Sequence, residues 1–222
     1  MVLASSKKFA HGLGLDIHLR TTIRDDWSYI SAAALRIGDD ILEVQSFGKY
    51  YLNGVEGAPM PKDFAGFHIS HKQQKRRPDR FIVYTNYGKI EIRVFKDFVS
   101  VNIAKPTEEG FGDVVGMMGT FQTGTWLLRD GDSTTTDANK FGNEWQVQDH
   151  EHQLFIQEGS VKWPQACILP DPTKASRRRL AESSISLEMA QEACAHWTED
   201  KDLCIQDVLV TGDLDIAAAG AF

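Results

Sequence analysis

"RFIVYTNYGKIEIRVFKDFVSVNIAKP", residues 80 to 106, is the stretch whose reading decides the fold. Ile82 and Tyr84, then Ile90, Ile92 and Val94, then Val99, Val101 and Ile103 form three apolar runs with a period of two. That is the spacing of a strand with one buried face. Asn86-Tyr87-Gly88 and Lys96-Asp97 stand at the breaks, and Pro106, which has no N–H to offer a ladder, closes the stretch. The pattern predicts an antiparallel meander of three strands.

The same reading extends upstream. "DIHLRTTIR" (16–24) sets Ile17, Leu19 and Ile23 on one side and polar residues on the other. "YISAAALRIGDDILEVQS" (29–46) reads as two strands joined by Gly38-Asp39-Asp40. "YYLNGVEG" (50–57) carries Asn53-Gly54, a strong hairpin signal because both residues tolerate positive φ. Downstream, Gly110, Gly112, Gly116, Gly119, Gly124, Gly131 and Gly142 crowd residues 108 to 147. Glycine at that density predicts tight turns and close backbone approach rather than long strands.

The character changes after about Pro164. "PQACILPDPTKASRRRLAESS" (164–184) reads as a linker, and "SLEMAQEACAHW" (186–197) puts Leu187, Ala190, Cys194 and Trp197 on one helical stripe. "DKDLCIQDVLV" predicts a second helix ending at Thr211-Gly212, with the terminal "AAAGAF" frayed. The expected organisation is a β-domain over 1–150, a linker over 151–180 and a helical hairpin over 181–222. Cys194 and Cys204 flank the hairpin turn. They form either a bridge closing a short loop or two buried reduced thiols.

Composition bounds the function. The 222 residues are 42% hydrophobic and 25% charged, ordinary for a globular chain, and the formal net charge is −7. That balance argues against a nucleic-acid binder, which needs a broad basic face. No apolar run reaches the ~20 residues of a membrane-spanning helix, and the first residues show no apolar secretory core.

Catalytic signatures are sparse. The sequence holds no G-x-S-x-G, H-E-x-x-H or C-x-x-C, and "GFGDVVG" has the wrong glycine spacing for a dinucleotide fingerprint. His150 and His152 make a two-histidine start for a metal site, or a solvated connector. Asp130, Asp132 and Asp137 resemble a calcium loop at first sight. Thr134 and Thr135 occupy the ligand and glycine positions such a loop requires, so Asx-type turns are the better reading. "HISHKQQKRRPDR" (68–80) carries Lys72, Lys75, Arg76, Arg77 and Arg80 between two strands. It offers a grip for a polyanion such as a sulfated or carboxylated glycan, or it is a soluble hairpin loop whose charge discourages edge pairing.

Residues 114 to 147, "VVGMMGTF…RDGDSTTTDANKFGNEWQV", resemble the end of a von Willebrand factor type D domain. Gly116, Gly119, Phe121, Asp130, Gly131, Phe141, Gly142, Trp145 and Val147 stand where that family's G-x-x-G-x-F, D-G and F-G-x-x-W-x-V pattern wants them. "YYLNGV" and "GKIEIRVFKDFVSVNI" look like its hairpin and central strands, so the resemblance spans roughly residues 1 to 150. It implies a mainly β fold, an antiparallel twisted sheet or sandwich followed by the helical appendage. It also implies a non-enzymatic extracellular or cell-surface adhesion module, with other extracellular proteins or glycans as partners and no nucleic acid. Met117 and Met118 stand where the family has cysteine, and "TFQTGTW" replaces its calcium ligands. The expectation is therefore no cofactor, with calcium held only through a degraded site. The resemblance further implies that Met1 falls inside the domain and that Cys167 has lost a partner. The alternative is a metal-dependent binding protein or hydrolase built from Asp130, Asp132, Asp137, His150 and His152.

Overall fold

The computed structural model describes residues 1–24, 27–74, 77–148, 150–156, 185–197 and 201–219. The chain divides into a β unit, Met1–Thr22 with Tyr29–Cys167, and a second unit, Ile23–Ser28 with Ile168–Phe222. Cys167 lies outside the described residues.

The β unit contains two antiparallel meanders. The first is a six-stranded sheet in chain order: β1 (Val2–Ser6), β2 (Leu15–Arg24), β3 (Trp27–Ile37), β4 (Asp40–Gln45), β5 (Tyr50–Leu52) and β6 (Val55–Glu56). The second holds β7 (His68–Gln74), β8 (Arg77–Thr85), β9 (Gly88–Val94) and β10 (Val99–Ala104), again in order. Two-residue turns at Gly38-Asp39, Asn53-Gly54 and Asn86-Tyr87 join antiparallel neighbours directly. Asn53 and Gly54, at φ 47° and 86°, make the β5–β6 turn that the sequence predicts.

Alternate residues of both sheets meet in one core. Leu15, Ile17, Leu19, Ala33, Leu35, Ile37, Leu42 and Val44 come from the first sheet; Ile69, Phe81, Val83, Ile90, Ile92, Val94 and Val99 come from the second. On β8 the expected phase is wrong by one residue. Phe81 and Val83 face the core, whereas Ile82 and Tyr84 lie on the outer face with Tyr84 exposed. "RFIVYT" is apolar on both faces, so alternation alone could not choose between them.

The glycine-rich stretch folds along the edge and outer face of the first sheet. Val115 bridges Ser5, and the amides of Met117 and Met118 donate to the carbonyls of Val2 and Leu3, at 3.1 Å each. Gly116, at φ +136°, passes so close to β1 that a Cβ would lie 2.5 Å from the Leu3 carbonyl oxygen. Besides the short segment α1 (Phe9–Gly12), in which Ala10 and His11 have positive φ, two short helices unanticipated from sequence interrupt these turns: α2 (Glu108–Phe111) and α3 (Ala138–Glu144). Thr107 and Asp137 cap their N-termini with side-chain oxygens, satisfying amides that a helix start leaves unpaired. Phe141 sits on α3 but is buried, packing with Val2, Leu128 and Trp145.

Past residue 150 the chain still belongs to the β unit. Leu154 and Phe155 bury against Ala32 and Ala34 on the outer face of the six-stranded sheet, and the Ile156 amide donates to Glu43 at 2.9 Å.

The second unit holds α4 (Leu187–Ala193), α5 (Lys201–Thr211) and α6 (Asp215–Ala219). Ala190, Cys194, Cys204, Val208 and Ala217 form its buried centre. Cys194 and Cys204 are disulfide-bonded, with Cα atoms 6.1 Å apart. Leu187, expected on the buried stripe, is exposed. Of the tail expected to fray, Ala217–Ala219 belong to α6 and residues 220–222 lie outside the described residues; the Ala217 carbonyl accepts from the Trp197 indole at 3.0 Å.

Candidate polyanion-binding face

The outer face of the four-stranded sheet gathers cations in register. Lys72 on β7 lies opposite Arg80 on β8, and Arg80 lies opposite Arg93 on β9. Two positions along, Glu91 pairs with Ile82; two further, Lys89 pairs with Tyr84. These sheet positions carry four cations, Lys72, Arg80, Lys89 and Arg93, against one carboxylate, Glu91. Like charges directly opposite one another destabilise a sheet, and here three stand in a row.

Glu91 holds the arrangement together. It is buried, and three side chains converge on it: Arg80 through Nε, Arg93 through Nε at 3.1 Å and Lys89 through Nζ at 2.9 Å. Burial alone would push this carboxyl up, but hydrogen bonds from Arg80, Lys89 and Arg93 outweigh it and lower the pKa to about 2. Arg80 bonds Glu91 through its Nε and remains about one-third exposed, whereas Arg93 is buried. Lys72 is exposed. At the Lys89 end, His68 and Tyr84 stack across β7 and β8, with ring centroids 5.5 Å apart.

The sequence placed Lys72 and Arg80 in a loop; both stand on strands, because β7 and β8 continue through most of "HISHKQQKRRPDR". Lys75 and Arg76 lie outside the described residues, as does the side chain of Arg77. Lys89 and Arg93 were missed. Their signal was present: in "GKIEIRV" they alternate with Ile90, Ile92 and Val94 and so share a face with Glu91. Only sheet register shows that this face also carries Arg80.

The remaining singled-out residues are elsewhere. Asp130 Oδ1 accepts from the amides of Asp132 and Ser133 at 3.0 and 2.8 Å, shaping the turn that Gly131 completes. Asp137 Oδ1 accepts from Asn139 and Lys140 at the start of α3. Asp132, His150 and His152 are exposed. Among the described residues, no group of three His, Cys, Asp or Glu side chains is placed to hold a metal ion. Gly119, at φ +73°, turns the chain beside Gly124, and Phe121 packs at the margin of the main core. Trp145 is buried, donating its indole N–H to the Leu127 carbonyl at 3.1 Å beneath the Arg129 guanidinium. Among the described residues, no helix is long and apolar enough to cross a membrane.

No protein-family model matches this chain, and no curated protein matches it.

Proposed function

We propose that this chain is a non-catalytic extracellular interaction module of the von Willebrand type D kind, and that a sulfated or carboxylated glycan docks on the outer face of its four-stranded sheet. The observation that carries the docking site is the register that sets Lys72 opposite Arg80 and Arg80 opposite Arg93, with Lys89 on the same face. Such a row repels itself, and an incoming polyanion relieves the repulsion at the exposed Lys72 and the part-exposed Arg80 and Lys89. The formal net charge of −7 argues against a nucleic-acid binder, which needs a broad basic face rather than one local patch. The Tyr84–His68 stack offers a flat apolar shelf at one end. The type D reading rests on the residue pattern of 114 to 147, and the extracellular placement rests on that reading.

Retention on a sulfated-polysaccharide matrix under a salt gradient tests the docking site. Wild type should elute at raised salt, and Lys72→Glu with Lys89→Gln should elute near the starting buffer, since both retain the Arg80 and Arg93 bonds to Glu91. Equal retention of wild type and variant overturns the assignment, as does tighter binding to single-stranded RNA than to the glycan.

A further inference from the structure

Three cross-strand rows make up the outer face of the four-stranded sheet. On β7 and β8, Lys72 lies opposite Arg80, Ser70 opposite Ile82 and His68 opposite Tyr84. On β9 the same rows continue with Arg93, Glu91 and Lys89. The middle row is closed, since Ile82 and Glu91 are buried, and the buried Arg93 closes one end of the first. The third row is open. His68 is exposed, Tyr84 is 39% exposed and the Lys89 side chain is 32% exposed. His71, on the same strand, stands on the other side of the sheet, its ring stacked on the core residue Phe81 with centroids 4.0 Å apart.

Few charged or titratable groups face His68. Tyr84, on β8, stacks against its ring. Lys89, on β9, lies beyond Tyr84 in the same row, with its ammonium 2.9 Å from Glu91. In the turn before β7, the Asp63 carboxylate accepts from the Gly66 amide at 2.7 Å. Among the described residues, His68 has no ion-pair partner. A proton added to this imidazole therefore stands on the face as a charge available to a ligand, and is not cancelled within the sheet.

We propose that His68 makes glycan docking pH-dependent, an inference that rests on the reading of this face as a polyanion site. Protonated, His68 adds an exposed cation to the row of Lys89, so the face grips a sulfated or carboxylated glycan more tightly in mild acid than at neutral pH. Imidazole changes charge between about pH 5 and 8, whereas lysine and arginine keep theirs across that range. Glu91, with its pKa lowered to about 2, also keeps its charge. Of the groups named on this face, His68 is thus the one that responds. The coupling is reciprocal, so a bound polyanion draws the proton onto His68.

Calorimetric titration of the full chain with heparin, over a salt series at about pH 7.5 and about pH 5.5, tests this. Wild type should bind about 2–5-fold more tightly at the lower pH, the worth of one exposed ion pair. Its salt dependence should also steepen there by about one counterion. His68→Gln should lose that gain, whatever its affinity at the higher pH. His68→Lys, which carries the cation permanently, should bind alike at both. His150→Gln with His152→Gln removes two exposed histidines of another segment and should keep the wild-type gain. Equal wild-type affinity at both pH values overturns the proposal, as does a gain that survives in His68→Gln or is lost with His150 and His152. Salt-sensitive binding that ignores pH sinks the role of His68 and leaves the docking site standing. Absence of salt-sensitive binding at both pH values overturns the docking site, and the role of His68 with it.

Discussion

At the residue scale, the clearest constraints are positions where one atom decides. Gly116 runs against the Leu3 carbonyl in a left-handed conformation, so Gly116→Ala combines a backbone clash with unfavourable φ. Destabilisation of about 2–4 kcal/mol in a denaturant titration is expected. Gly142 offers the contrast: it lies within α3, has no positive φ, and a Cβ there would meet nothing within 4 Å. Gly142→Ala should therefore stabilise by about 0.5–1 kcal/mol.

His18 makes stability depend on pH. Burial lowers its pKa to about 4 from 6.5, with neighbouring Asp16 pulling the other way, the Met1 amine lowering it further, Glu151 raising it and Arg36 lowering it. The folded state thus holds His18 neutral while the unfolded chain protonates it below about 6.5. Above that pH the group has no effect. Stability falls as pH drops from about 6.5 to 4 and then levels, a loss of at most ~3 kcal/mol at 1.36 kcal/mol per unit. His18→Gln should flatten urea midpoints across that window. Glu91 acts in a lower window, with stabilisation present above its ordinary 4.5 and lost as pH falls toward 2.

At the scale of elements, the disulfide carries much of the short helical unit. Its helices have 7, 11 and 5 residues, lengths that are marginal without tertiary support. The bond between Cys194 and Cys204 spans 10 positions and sits among Ala190, Val208 and Ala217. Cys194→Ala with Cys204→Ala should remove about 2–3 kcal/mol, by the loop-closure argument. Far-UV circular dichroism should then show the helical signal melting earlier, while the β signal changes little.

Local rules made several elements legible. Asn53-Gly54, the Gly38-Asp39 turn and the alternation of "GKIEIRV" are each decided within a few residues. Elements whose two faces are both apolar were not. Ile82 and Phe81 are equally buried, on opposite sides of β8, so the strand was readable but its orientation was not. α3 was hidden for another reason: it is seven residues long, too short for a full apolar stripe, and its cap Asp137 reads equally well as a turn aspartate.

At the scale of the whole molecule, the proposed docking face arises from strand register, which gathers cations from three strands on one side of the sheet. Salt should weaken glycan retention steeply, because surface charge is screened.

The sequence alone determined that this is a mainly β chain with short antiparallel connections and helices near its end, because period-two alternation and turn chemistry act between near neighbours in the chain. It also determined where glycine and aspartate shape turns, since those residues act on their own backbone. Only the tertiary structure decided that Lys89 and Arg93 join Lys72 and Arg80 around Glu91, and that Leu154 and Phe155 cover the alanines of β3. Those facts depend on register and layer packing, which bring together residues far apart in sequence whose local patterns carry no record of one another.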